Sequence, residues 1–105
     1  MDIIFKTKEL ERYATDKKYG CKKLGVLGYK LFIRRVSDLI AAESLEDLRC
    51  ANGNFHNLTG NRKGQIACSV EQPYRLVFRP LNGSIDNWRE ITEIEVIEIV
   101  NYHGK

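Results

Sequence analysis

The residues best suited to chemistry in this sequence are its two histidines, His56 and His103. An imidazole titrates near neutrality, so it can take or give a proton at working pH. Such groups suit the cleavage of RNA through its own 2′-hydroxyl. That reaction needs a base for the hydroxyl, cations or donors for the charge on the phosphorane, and an acid for the 5′ leaving oxygen. It needs no metal, because the substrate supplies the nucleophile. His56, His103 and Tyr102 are available for proton transfer, and Arg75, Arg79, Arg62 and Lys63 for charge. Each also has a plainer reading. On spacing alone His56 reads more readily as a surface or structural histidine, and His103, near the end of the chain, as disordered. Arg75 and Arg79 can form salt bridges with Glu93 or Glu95 across a sheet, while Arg62 and Lys63 at a turn can simply be solvated. Tyr74 and Phe78 suit a core better than a stacking platform. Trp88 can stack a base, but suits an anchor for its loop better.

The elements that must position these groups centre on Phe55 to Pro80, FHNLTGNRKGQIACSVEQPYRLVFRP. A short extended run, 55–58, leads into the turn Thr59-Gly60-Asn61-Arg62-Lys63-Gly64, whose glycines and Asn permit positive φ. Gln65 to Val70 alternates, with Ile66, Cys68 and Val70 on one face and Gln65, Ala67 and Ser69 on the other. After the break at Glu71-Gln72-Pro73, Tyr74 to Arg79 alternates again. Tyr74, Leu76 and Phe78 face one way; Arg75, Val77 and Arg79 face the other. Pro80 ends the run, since it cannot donate to a sheet ladder. Two adjoining strands therefore share a buried face, and their other face forms a shallow floor beside cations, a seat for a polyanion.

The rest of the chain supplies support. Asp2 to Thr7 reads as a short strand and Lys8 to Asp16 as a helix, which Lys17-Lys18-Tyr19-Gly20 breaks or loosens. From Lys22 to Ala42 the period is helical, with Leu24, Leu27, Leu31, Val36, Leu39 and Ile40 expected as one apolar stripe. Gly25 and Gly28 would allow close approach on or near its packing side. Ser44 is expected to cap a brief turn. The last strand, Thr92 to Tyr102, is the most β-prone run. Strict alternation places Ile94, Val96, Glu98, Val100 and Tyr102 on one face, and Glu93, Glu95, Ile97, Ile99 and Asn101 on the other, continued by His103. The fold class is thus α+β: β-α-α-β-β-β-β, two N-terminal helices on one face of a small twisted, mostly antiparallel sheet.

At 105 residues the chain is expected to be one domain over 1–105, with room for a single core but not for a large cofactor cavity. Residues 1–80 carry 15 Lys/Arg against 9 Asp/Glu, and residues 81–105 carry 2 against 5. The basic part suits a nucleic acid, an acidic partner, or merely a solvated surface. The three cysteines, Cys21, Cys50 and Cys68, form no CxxC pair. That argues against a zinc site or disulfide framework, and no cofactor is expected. With no long apolar run and no signal-like start, a cytoplasmic setting without membrane contact is expected.

Three segments carry a resemblance. They are His56-Asn57-Leu58-Thr59-Gly60-Asn61-Arg62-Lys63-Gly64-Gln65, then Pro73-Tyr74-Arg75-Leu76-Val77-Phe78, then Ile94-Glu95-Val96-Ile97-Glu98-Ile99-Val100-Asn101-Tyr102-His103. In this order and spacing they resemble the RelE/ParE toxin superfamily, most closely its HigB-like (host inhibition of growth) branch, over essentially the whole chain. Those proteins share an H-x-L-x-G-x-x-K-G loop, a Y/W-R-L/I strand and a terminal D-Y-H. The resemblance implies a toxin of a type II toxin–antitoxin pair that enters the ribosomal A site and cleaves mRNA without metal. It gives His56, Arg75, Tyr102 and His103 the catalytic positions; beside them Arg62, Lys63, Arg79 and Asn101 are read as RNA- or phosphate-binding. It further implies a HigA-like antitoxin that covers the site and joins in operator-DNA-bound autorepression. Asn101 departs from the family's Asp, keeping hydrogen bonding but not charge, which implies weakened activity. Two other functions stay open. One is a ParE-like toxin acting on DNA gyrase, which would not need the His-Tyr-His set. The other is a catalytically weakened partner that only binds antitoxin and operator DNA.

Overall fold

The computed structural model describes residues 1–71 and 73–101. Its elements are β1 (Asp2–Phe5), α1 (Lys8–Thr15), α2 (Lys17–Ala41), β2 (His56–Asn57), β3 (Ile66–Ser69), β4 (Tyr74–Pro80) and β5 (Glu93–Asn101), with short 3-10 turns at Leu45–Leu48, Gly60–Arg62 and Trp88–Glu90. Among the described residues the strands form one five-stranded sheet in the order β1-β5-β4-β3-β2. β1 runs parallel to β5, and the remaining neighbours are antiparallel. This is the expected α+β arrangement. No helix among the described residues is long and apolar enough to cross a membrane.

One face of the sheet packs against the helices. Leu24, Phe32, Val36 and Leu39 of α2 share a core with Ile66 and Cys68 of β3, Leu76 and Phe78 of β4, and Ile94 and Val96 of β5. Burying such apolar surface is the main force holding helix to sheet. Two corrections to the helical reading follow. Leu27 and Ile40 are 56% and 57% exposed, outside the buried stripe. The stripe runs instead through Leu24, Gly28, Phe32, Val36 and Leu39, stepping by four to Val36 and by three to Leu39. In addition, Lys17 to Gly20 is the first turn of α2, not a break. The irregularity lies at Gly25, whose φ of 79° and ψ of 166° are non-helical. Only a residue without Cβ tolerates that geometry readily, so Gly25 serves a kink rather than a close approach.

Asp16 makes the corner between the helices. Its backbone N–H closes α1 on the Arg12 carbonyl, and its carboxylate accepts the Tyr19 N–H at the start of α2 at 3.2 Å. That bond is the main reason its carboxyl is held below the usual carboxylate range. Ser44 does occupy the position before the 45–48 turn but makes no side-chain cap there. Arg35, expected nowhere as a core residue, is buried and donates from Nε to the Ser69 carbonyl at 2.8 Å, tying α2 to the end of β3.

The last strand departs from strict alternation. Val77 of β4 pairs with Glu98, and the next residue, Phe78, pairs with Val96. Ile97 is therefore an extra residue in β5, a β-bulge. Beyond it every side chain changes face relative to the regular pattern. Ile94, Val96 and Ile99 serve the helix-covered core. Glu95, Glu98 and Val100 share the opposite face with Arg79, Val77 and Arg75, their respective partners on β4.

Candidate active site

The open face of the sheet is laid out in rows. One row crosses four strands through the pairs His56–Ala67, Ala67–Val77 and Val77–Glu98. The next is Ser69–Arg75–Val100, and on the other side stands Arg79–Glu95. Adjacent strands lie about 4.8 Å apart, so His56 and Glu98 are separated by roughly 14 Å of sheet, with Arg75 one row away between them. Leu58, Arg62, Ala67, Arg75, Val77 and Val100 line a cavity of about 140 Å³ on this face. The floor beside cations that alternation implied is thus present. Its base is apolar, because Gln65 and Ser69 are not among the lining residues.

His56 sits half-buried on the edge strand β2. Its Nδ1 lies 2.7 Å from the Asn54 carbonyl oxygen. A carbonyl can only accept, so Nδ1 carries the hydrogen, and in the neutral ring Nε2 is the acceptor. Asn54 makes this possible with φ of 52°, in the left-handed region that Asn tolerates better than most side chains. The strand is pinned from the other side. Asn57 Oδ1 accepts the Trp88 indole N–H at 3.0 Å, and Asn57 Nδ2 donates to the Ile85 carbonyl at 3.1 Å. Trp88 is accordingly a buried loop anchor, with the Arg49 guanidinium 4.3 Å from its ring centroid.

The cations differ in their surroundings. Arg62 donates from Nη1 to Gln65 Oε1 at 2.8 Å and from Nη2 to Glu98 Oε1 at 2.7 Å. Arg79 donates from Nε to Glu95 Oε1 at 2.7 Å, the cross-sheet bridge weighed as its plainer role. Arg75 is half-buried and lines the cavity; Lys63 is exposed at the turn. Asn101 ends β5 opposite Tyr74. Tyr102 and His103 lie outside the described residues. The structure thus brings Arg62 and Arg75 to the lining of one cavity, with His56 on the same face across from Ala67 and Arg79 in the row beside Val77.

Sequence reasoning missed Glu98 as a member of this face, and Asn54 and Asn57 as the residues that hold His56 and its strand in place. The signal for Glu98 was an acid among apolar residues on what strict alternation made a buried strand face. A bulge resolves that conflict. Cys68 is no nucleophile here: burial pushes its thiol up to about 12.

A family model described as RelE-like toxin of type II toxin-antitoxin system HigB matches residues 3–91. That span holds His56, Arg62, Lys63 and Arg75 and ends before β5. Toxin HigB-1 of Vibrio cholerae serotype O1 is 37% identical over 84 residues, 79% of this chain and 87% of that protein. The YoeB/ParE toxin from Agrobacterium tumefaciens has the same fold, with a TM-score of 0.56 at 16% identity, covering 98% of this chain and 100% of the other.

Proposed function

Because the chain belongs to the HigB-like, RelE-type toxins of type II toxin–antitoxin systems, we propose that it is a ribosome-dependent mRNA endonuclease that halts translation and growth. A toxin of such a system has an antitoxin partner. In this reading that partner is HigA-like, covers the open sheet face, and carries the pair to operator DNA. The toxin itself works in the cytoplasm, on mRNA in the ribosomal A site.

The observation that carries the reading is His56 with its Nδ1–H committed to the Asn54 carbonyl. This leaves Nε2 as the acceptor that general-base removal of a 2′-hydroxyl proton requires. The attacking oxygen then bonds to phosphorus, and negative charge builds on the non-bridging oxygens. Arg75, half-buried in the cavity lining, is the cation for that charge, with Lys63 exposed on the neighbouring turn. Charge-assisted donors of this kind bind such oxygens about twice as strongly as neutral ones. By family resemblance, His103 supplies the proton to the departing 5′ oxygen and Tyr102 assists or stacks. The substrate's own hydroxyl serves as nucleophile, so the chemistry requires no metal.

The test is cleavage of a defined mRNA on programmed ribosomes by purified protein, mapped by primer extension. Wild type should cut within the A-site codon. His56→Ala and Arg75→Ala, checked for folding by circular dichroism, should each cut at least about 100-fold more slowly. Growth arrest with intact mRNA would replace this reading with action on DNA gyrase.

A further inference from the structure

The Arg62–Glu98 pair calls for a role other than holding the fold. Its side chains are 38% and 46% exposed, and ion pairs so exposed contribute little to stability. Nor is Arg62 well placed as a mobile phosphate clamp. Gln65 and Glu98 fix two edges of its guanidinium, and Glu98 balances its charge. What a fixed guanidinium offers instead is a flat face, and such planes stack on nucleobases. Arg62 lines the 140 Å³ cavity whose other walls include Ala67, Val77 and Val100. That volume is about that of four or five waters, enough for a flat ring but not for a nucleotide. Glu98 reaches this face only through the bulge at Ile97.

We propose that the cavity seats one nucleobase of the mRNA against Arg62, and that Glu98 selects a base bearing an exocyclic amine over uracil. The selection follows from hydrogen-bond type. A carboxylate only accepts, and its oxygens have capacity beyond the bond from Arg62. Cytosine, adenine and guanine each present an amine to such an acceptor. Uracil's one N–H lies between two carbonyl oxygens, which repel the carboxylate. The proposal rests on the mRNA-cleaving function, but its test does not depend on cleavage.

Cytidine 3′-monophosphate and uridine 3′-monophosphate are titrated into ¹⁵N-labelled protein, with inorganic phosphate as control. The expected result is chemical-shift change at the amides of Ala67, Val77 and Val100, with cytidine binding about 3- to 10-fold tighter than uridine, the ratio one hydrogen bond supplies. In Glu98→Gln, whose amide can donate as well as accept, that ratio should fall toward one, while both nucleotides and inorganic phosphate gain affinity together because Arg62 loses its counter-charge. Equal affinities in wild type, no binding by either nucleotide, or shifts away from these amides would overturn the proposal. Absence of mRNA cleavage on ribosomes would instead sink the nuclease function, and the titration would still report on the base site.

Discussion

The bond from Trp88 to Asn57 should matter well beyond its length. Trp88 is 2% exposed, and its indole N–H donates to Asn57 Oδ1 at 3.0 Å. Asn57→Ala leaves that N–H buried without its acceptor. A buried donor left unmet costs about 1–3 kcal/mol, which in a domain of this size lowers Tm by roughly 4–20 °C. The second bond lost, from Asn57 Nδ2 to the Ile85 carbonyl, is exposed and adds little. Trp88→Phe removes the donor together with part of the ring, so it costs packing energy but strands no polar group. In that background Asn57→Ala should cost less than about 0.5 kcal/mol, giving a coupling energy on the order of 1–2 kcal/mol. Urea denaturation of the four proteins measures it. The loss also reaches the site, because β2 pairs with β3 only at His56–Ala67 and Asn57–Ile66. Ribosomal mRNA cleavage should therefore fall in both backgrounds. Equal cost of Asn57→Ala with and without the indole would refute the anchoring role.

Three further outcomes follow from the helices and the core. Gly25→Ala should lower stability by about 1–3 kcal/mol, because its φ of 79° and ψ of 166° suit glycine alone; a straight helix would instead gain about 1 kcal/mol, so the sign seen in a thermal melt decides. The Tyr19 hydroxyl donates to Glu9 at 2.7 Å, which chiefly pushes its pKa up to about 12. Since that value is raised, the bond's stabilisation is complete below about pH 10 and is lost as pH rises through 12. A phenolate absorbance titration should show a component ionising near pH 12 that Glu9→Gln brings back toward 10; a wild-type curve without that component would contradict this. Cys50 is exposed and should react with a thiol reagent at pH 8, whereas buried Cys68, pushed up to about 12, should react only on unfolding. Mass spectrometry of the labelled protein reads both.

How much of this was legible beforehand differs by element. The faces of β3 and β4 follow directly from period-two alternation, since neither strand is interrupted. Ile66, Cys68, Leu76 and Phe78 accordingly lie in the core, and Arg75 and Arg79 on the open side. The phase of α2 was read less well. Residue type misleads there: Leu27 and Ile40 are apolar yet exposed, while the buried row keeps its i, i+4 step from Leu24 to Gly28 across the Gly25 kink. The far half of β5 was misassigned because alternation cannot register an inserted residue, and one bulge moved Glu98 and Val100 to the open face. The groups that orient His56 were hidden for another reason. Asn54 acts through its carbonyl, and any residue has one; only the Asn-Gly-Asn composition hinted at the left-handed turn that directs it.

The central claim is that His56 acts as a proton carrier in mRNA cleavage. The most direct measurement is mRNA integrity and growth after induced expression of wild type and His56→Ala in cells lacking the antitoxin. Wild type should arrest growth with cut mRNA, and a His56→Ala protein that accumulates in folded form should do neither. Cleavage that survives His56→Ala, or arrest with mRNA intact, would contradict it.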